Sequence, residues 1–214
     1  MKIRAVVISV AMAIALPSLA QRTKPISNDG PKHVIKTNLL PMLGGQIPFT
    51  NEYRLVYEQK TGECTALQIT GAYLGKSPFV GLFERYAINL IDENVKLGIG
   101  GYRVQAAYKF YFLKNQPGVH GFYLAPTLSY AHAKIRDTNK KDDFFKASYS
   151  SASALAGYQF IIGGHFAIDV FTGIGIKYNH YGVNIPVKES NFEFNRLDSV
   201  GPKFWLGFNM GYAF

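Results

Sequence analysis

The residues best suited to nucleophilic or metal chemistry are five histidines and a single cysteine, Cys64. A protein-bound metal needs several ligands gathered at ~2 Å. His33, His120 and His165 fall near the ends of predicted strands, and in a ring of eight strands the first and fifth are diametrically opposed. His132 and His180 belong to strands separated by another strand, so a shared ion there is only a weak option. Ser129 and His132 stand three apart on one strand and point to opposite faces. Cys64 has no partner for an intrachain disulfide and no histidine base beside it in sequence, so it reads as a buried, inert thiol. Gly98-Ile99-Gly100-Gly101 and Gly173-Ile174-Gly175 lack the strand-to-helix context, lysine and hydroxyl of a phosphate loop. They read as glycines that relieve crowding or permit curvature. No catalytic set, metal or cofactor is expected.

The elements that would position any site begin with an export signal. Lys2 and Arg4 precede an apolar run from Ala5 to Leu16, and Ser18 and Ala20 supply the small residues of a cleavage site before Gln21. A run of about a dozen residues is too short for a membrane helix, and no run of ~18 follows it. Cys64 is not placed for lipid attachment after the signal. Residues 1–20 are therefore expected to be a signal peptide, 21–32 a polar tail, and 33–214 one domain. Loss of Lys2 and Arg4 lowers the formal charge from +9 to +7. No dense basic run with interleaved aromatics occurs, so no nucleic acid is expected as a partner. The basic balance suits an anionic lipid surface instead.

From His33 onward the chain alternates with period two. In the fourth strand Tyr102, Val104, Ala106, Tyr108, Phe110 and Phe112 share one face. Arg103, Gln105, Ala107, Lys109 and Tyr111 share the other. Phe122, Leu124, Leu128 and Tyr130 oppose Tyr123, Ala125, Thr127 and Ser129 in the fifth. Phe166, Ile168, Val170, Ile174, Ile176 and Tyr178 oppose Ala167, Asp169, Gly173, Gly175 and Lys177 in the seventh. The sixth is milder, with Tyr158 and Phe160 against Ser151, Ser153, Gly157 and Gln159. The last sets Phe204, Leu206, Phe208, Met210, Tyr212 and Phe214 against Trp205, Gly207, Asn209, Gly211 and Ala213. Earlier strands are expected at about 34–47, 52–60 and 64–74, with Pro41 and Gly44-Gly45 marking a bend in the first. The clear strands run to roughly eleven residues, beyond the five or six usual in soluble sheets.

Eight strands with loop lengths sorted by parity predict an all-β, eight-stranded antiparallel up-and-down transmembrane barrel. Thr61-Gly62, Lys114 to Gly118 and Gly163-Gly164 make short turns at one end. Longer loops near 75–96, 136–147 and 179–201 lie at the other, with a short first connection near Phe49 to Asn51. Residues 79–90 fit either a short helix (Phe79, Leu82, Phe83, Tyr86, Leu90) or a strand (Leu82, Tyr86, Ile88, Leu90), the helix being preferred. In hydrocarbon every backbone group needs a partner, so the sheet must close. A ring of eight leaves a lumen just wide enough for side chains. Glycine, alanine, serine and a few charges would fill it, with Lys36, Arg54, Glu58, Arg103, Lys109, Asp169 and Lys177 forming a charge network. That plugs the barrel against diffusion. Phe208, Met210, Tyr212 and the final Phe214 have the pattern of a barrel-assembly signal. Phe144, Phe145, Phe192 and Phe194 are the aromatic residues placed in loops to contact a ligand.

Three segments carry a resemblance: Lys36-Thr37-Asn38-Leu39-Leu40, Tyr102 to Tyr111, and Gly211-Tyr212-Ala213-Phe214. Across 34–214 the chain resembles small eight-stranded outer-membrane proteins of Bacteroidota, a group that includes uncharacterised barrels. The resemblance implies fold and an outer-membrane location, with outer-membrane lipid, lipopolysaccharide and the barrel-assembly machinery as partners. It implies no catalytic residues. His180-Tyr181-Gly182-Val183-Asn184 loosely resembles the His-x-Ser segment of lipid A deacylases, which are also eight-stranded barrels. Gly182 stands where the nucleophilic serine would be, and without a hydroxyl no acyl-enzyme forms. The leading expectation is a structural or interaction barrel with an unknown surface ligand. A lipid-modifying enzyme and a narrow channel are the alternatives.

Overall fold

The computed structural model describes residues 30–38, 50–77, 97–112, 118–137, 143–183 and 197–214. Eight strands follow in chain order: β1 His33–Thr37, β2 Thr50–Lys60, β3 Thr65–Lys76, β4 Leu97–Tyr111, β5 Gly121–Asp137, β6 Asp143–Ile162, β7 Phe166–Val183 and β8 Leu197–Ala213. Each pairs antiparallel with its neighbour in sequence, and β8 pairs with β1, so the sheet is a closed barrel with no free edge. No helix occurs among the described residues. The signal segment, most of the tail, the bend at Pro41 and Gly44-Gly45, and the helix expected at 79–90 lie outside the described residues.

Closure at β1–β8 is made partly by Phe214. Its carbonyl accepts from the amides of Lys32 and His33, and its own amide donates to the His33 carbonyl. The ring is staggered. A cross-strand row leaving Tyr212 on β8 passes Ile35 and Tyr57, continues round to Ile176 on β7, and regains β8 at Pro202, ten residues away. An eight-stranded ring with that stagger tilts its strands by about 40°.

Alternation sets which side chains face out. Leu55, Ile69, Val104, Ile174, Ile176, Phe204 and Leu206 are exposed on the outer wall. Lys36, Glu58, Arg103, Lys109, Gln159 and Asp169 are buried inside. The lumen departs from the expected small-residue lining, because Tyr111, Tyr123, Phe171 and Trp205 are also buried within it. The inward glycines make room for these rings. A Cβ on Gly207 would lie 2.1 Å from the Phe171 ring, and one on Gly157 would lie 2.6 Å from the Tyr123 hydroxyl. Large and small residues therefore interlock across a narrow interior.

Of the three short turns expected at one end, the β2–β3 and β6–β7 connections are described and are short, while 114–117 lie outside the described residues. Gly163 and Gly164 take φ of 61° and 78°, the left-handed pair of a tight turn within the connection 163–165, and the amide of His165 reaches the Ile162 carbonyl at 3.3 Å. Cys64 sits in the β2–β3 turn and is half-buried rather than buried.

At the other end the strands are longer than their hydrophobic pattern suggests. β5 runs to Asp137, β6 starts at Asp143, β7 continues to Val183 and β8 begins at Leu197. The loops expected at 136–147 and 179–201 are therefore partly barrel wall, and so are Thr50 and Asn51 of the first connection. Beyond the apolar zone both faces of a strand are polar, so alternation disappears while the hydrogen-bond ladder goes on. Phe144 and Phe145 accordingly lie in β6 and not in a loop. Phe192 and Phe194 lie outside the described residues.

Candidate functional site

Two buried clusters occupy the lumen and one polar row crosses the outer wall. The lower cluster draws on all eight strands: Lys36 on β1, Glu58 on β2, Gln68 on β3, Lys109 and Tyr111 on β4, Tyr123 on β5, Gln159 on β6, Asp169 on β7 and Asn209 on β8. Lys36 Nζ lies 2.5 Å from Glu58 Oε2, 2.8 Å from Asp169 Oδ2, 2.9 Å from Gln159 Oε1 and 3.0 Å from Gln68 Oε1. Lys109 Nζ meets three of the same oxygens at 2.9–3.0 Å. The remaining carboxylate oxygens are taken as well: Tyr111 donates to Glu58 Oε1 at 2.5 Å and Tyr123 donates to Asp169 Oδ1 at 2.6 Å. Gln159 Nε2 donates to the Val119 carbonyl at 2.9 Å, which ties in the β4–β5 connection. Two cations and two carboxylates cancel. Buried ion pairs persist only when their other hydrogen-bonding capacity is also met, as it is here.

The upper cluster is less balanced. Arg54 Nε donates to Glu52 Oε2 at 2.6 Å, and Arg103 Nη2 lies 2.8 Å from Glu52 Oε1. Lys203 Nζ donates to Ser151 Oγ at 2.8 Å and stands 3.9 Å from the Trp205 ring centroid and 5.0 Å from that of Tyr149. Trp205 Nε1 donates to Ser153 Oγ at 2.9 Å. Aromatic faces thus share with Glu52 the charge of three cations.

Of the seven charges expected inside, six are buried in these clusters: Lys36, Glu58, Lys109 and Asp169 in the lower, Arg54 and Arg103 in the upper. Lys177 faces inward opposite Ser151 but is only half-buried and joins neither. Glu52, Gln68, Lys203 and Phe171 were not anticipated. Parity could have found them, since Glu52 stands two before Arg54 and Lys203 two before Trp205.

On the outer wall the histidines separate into two groups. Three lie in a band of rings at the short-turn end. His33 stacks on Tyr57 and Phe214, His165 stacks on Tyr212 with planes 5° apart, and His120 meets Tyr158 and Phe160 edge-on. The assembly-signal residues Tyr212 and Phe214 belong to this band, while Phe208 and Met210 lie half-buried above it. The other two histidines fall on one cross-strand row near the loop end. It runs Tyr53, Tyr73, Tyr102, His132, Ser148, His180, Asp198, from β2 to β8. All seven share the outward face. His180 Nδ1 lies 2.6 Å from Asp198 Oδ1, and the Tyr178 hydroxyl donates to Asp198 Oδ2. A carboxylate only accepts, so Nδ1 is the donor in this bond.

His132 and His180 are separated by β6, which places them about 10 Å apart at ~4.8 Å per strand. Among the described residues no three His, Cys, Asp or Glu side chains gather as metal ligands. No protein family, curated protein or solved structure matches the chain.

Proposed function

We propose that the protein is an outer-membrane barrel with a plugged lumen, which anchors an interaction surface carried by its loop end. The observation that supports this reading best is the pairing of an apolar outer wall with two rings of aromatic residues. The lower ring holds Tyr57, Tyr108, Phe110, Phe122, Tyr158, Phe160 and Tyr212; the upper holds Tyr53, Tyr73, Tyr102, Tyr130 and Tyr178. Members of the two rings are four residues apart on β2 (Tyr53 and Tyr57), eight on β4 (Tyr102 and Phe110) and eight on β5 (Tyr130 and Phe122). At ~3.3 Å per residue and a tilt of about 40°, the rings stand ~10–20 Å apart along these strands. Outer-membrane barrels carry an apolar band about 25 Å tall between two such girdles.

The neutral, interlocked lower cluster argues against a diffusion channel. Residues 1–20 as an export signal, the assembly machinery as a folding partner, lipopolysaccharide as the lipid contact and kinship with Bacteroidota barrels all belong to the same reading. With Phe144 and Phe145 in the wall, the ligand-contact role passes to the rim and to the connections that hold Phe192 and Phe194.

Cell fractionation combined with gel mobility tests the proposal. The expected result is protein in the outer-membrane fraction that migrates differently before and after boiling in dodecyl sulfate, with no stable conductance in planar bilayers. Protein recovered dissolved without detergent, or a steady ohmic conductance, would overturn it.

A further inference from the structure

The lower cluster is neutral, and every buried polar side-chain atom in it has a partner. The upper cluster has neither property. Arg54, Arg103 and Lys203 are all more than nine-tenths buried, and among the described residues the carboxylate beside them is Glu52. Two positive charges are left in excess. Lys203 makes no ion pair among the described residues; its ammonium meets Ser151 Oγ and the rings of Trp205 and Tyr149. An arginine approaches each of those rings too. Arg54 Cζ stands 6.0 Å from the Trp205 centroid, and Arg103 Cζ 5.1 Å from that of Tyr149. Aromatic faces offset only part of the cost of burying like charges together. Two hydroxyls beside these cations lack a hydrogen-bond partner: Tyr149, 9% exposed, and Ser129, 6% exposed. Ser129 stands directly opposite Ser151, whose oxygen holds Lys203.

Above Lys203 the lumen opens toward the loop end. Ser199 and Gly201 share the inward face of β8 with Lys203, and burial falls along them: Lys203 is buried, Gly201 half-buried and Ser199 exposed. Lys177 lies directly opposite both Ser151 and Gly201. It is half-buried and makes no ion pair among the described residues. Lys203 faces Gly175, two residues along β7 from Lys177. The two lysines are therefore diagonal neighbours on one face, with Cβ atoms about 7 Å apart. Packing changes at the same place. A Cβ on Gly207 or Gly211, lower on β8, would lie 2.1 or 1.9 Å from the nearest atom, whereas one on Gly201 would meet only Lys177 Cε, at 3.9 Å. The strand is tightly covered below Lys203 and open above it.

We infer that the upper lumen binds a small doubly charged oxyanion, inorganic phosphate or sulfate, which enters at the loop end past Gly201. Lys177 and Lys203 hold it by charge-assisted hydrogen bonds, and the hydroxyls of Ser129 and Tyr149 supply the neutral donors. Arg54 and Arg103 add charge from behind. A dianion matches the excess of two charges. Donors drawn from four strands suit a ligand with several acceptor oxygens better than a single spherical ion. The ligand must be small, because a ring of eight strands leaves room for little beyond its own side chains. The neutral lower cluster closes the lumen beneath, so the anion is bound and not conducted. None of this depends on what the outer wall faces.

The test titrates the full detergent-solubilised protein with inorganic phosphate and with sulfate, the ionic strength being held constant with chloride. Calorimetry measures affinity. The emission of Trp205, the chain's single tryptophan, reports whether the ion arrives beside Lys203. Saturable binding with a change in emission is expected. Lys203→Met should weaken it by about tenfold or more, the usual worth of a hydrogen bond to a charged group, and Lys177→Met by a similar factor. Gly201→Leu keeps every charge and narrows the entrance, so it should also weaken binding. Every variant is first checked for the boiling-dependent gel shift, so a folding failure is seen as such; Lys177→Met, at a half-buried position, keeps the test open if Lys203→Met fails to fold. Absence of saturation with both anions, or affinity unchanged in Lys177→Met and Gly201→Leu, would overturn the site. Equal competition by chloride would reduce it to charge screening and overturn the oxyanion. A gel shift without anion binding would leave the membrane-barrel reading standing; anion binding by a freely dissolved protein would do the reverse.

Discussion

Lys36 and Lys109, on opposite sides of β2 and β3, aim their ammonium groups at the same three oxygens: Glu58 Oε2, Gln159 Oε1 and Asp169 Oδ2. Two cations this close are tolerated only because two carboxylates sit between them. The cluster spans the ring through hydrogen bonds, so it fixes the inward register of strands far apart in sequence.

Removing one member leaves an uncompensated buried charge. Lys109→Met is expected to destabilise the barrel by about 3–5 kcal/mol, the usual cost of breaking a buried pair from one side. Lys109→Met with Glu58→Gln restores neutrality and should recover much of that loss. Urea unfolding in detergent micelles, followed by gel mobility and tryptophan fluorescence, measures both. A single substitution costing under about 1 kcal/mol, the value of an exposed pair, would refute the network's role.

The interlocking of rings and glycines gives a second prediction. A methyl at Gly207 would penetrate the Phe171 ring, whose atoms lie at 2.1–2.6 Å from the Cβ position. Phe171 is buried and has little room to yield. Gly207→Ala should therefore cost about 1–3 kcal/mol through overpacking. Combining it with Phe171→Ala should cost less than the sum of the two single changes, because each removes the other's obstacle. Strict additivity would mean that the two residues do not meet.

The face occupied by each of these residues was legible in the sequence. Asp169 between Ile168 and Val170, or Lys109 between Tyr108 and Phe110, points inward by alternation alone. Their level was not. Whether Lys36 meets Asp169 or Lys177 depends on the ten-residue stagger of the ring, which no local pattern encodes. The polar row was hidden for the same reason. Ser148, His180 and Asp198 come from three strands, and each looks like a loop residue where alternation fades. Lumen aromatics such as Phe171 were obscured because they keep the alternation while inverting its usual polarity.

A third prediction concerns His120, in the β4–β5 connection outside the strands. Its Nδ1 accepts the Ile161 amide at 3.0 Å, which requires the unprotonated ring. Burial holds its pKa below the ordinary 6.5. A base with a depressed folded-state pKa contributes stability that is present above the unfolded value. That contribution is lost as pH falls from about 6.5 through the folded value, because the unfolded chain takes the proton first. An NMR titration of the ring in micelles should show a midpoint below 6.5, with the Ile161 amide exchanging faster once the ring is charged. A midpoint at or above 6.5 would contradict the bond.

The last prediction separates a lipid-facing wall from a water-facing one. Leu206 is 81% exposed and Val200 70% exposed, six residues apart on the outward face of β8. In water the two positions are equivalent, and an arginine at either would change stability by no more than about 0.5 kcal/mol. Across an apolar band they differ. Leu206 falls between the aromatic girdles, whereas Val200 pairs with Tyr178 of the upper girdle. Leu206→Arg should then cost about 2–4 kcal/mol in lipid bilayers, and Val200→Arg about 0–1 kcal/mol, because the penalty for a charge declines from the midplane to the interface. Denaturant unfolding from phosphatidylcholine vesicles gives both values. Equal costs at the two sites would place the whole outer wall in water and remove the physical basis for a membrane barrel.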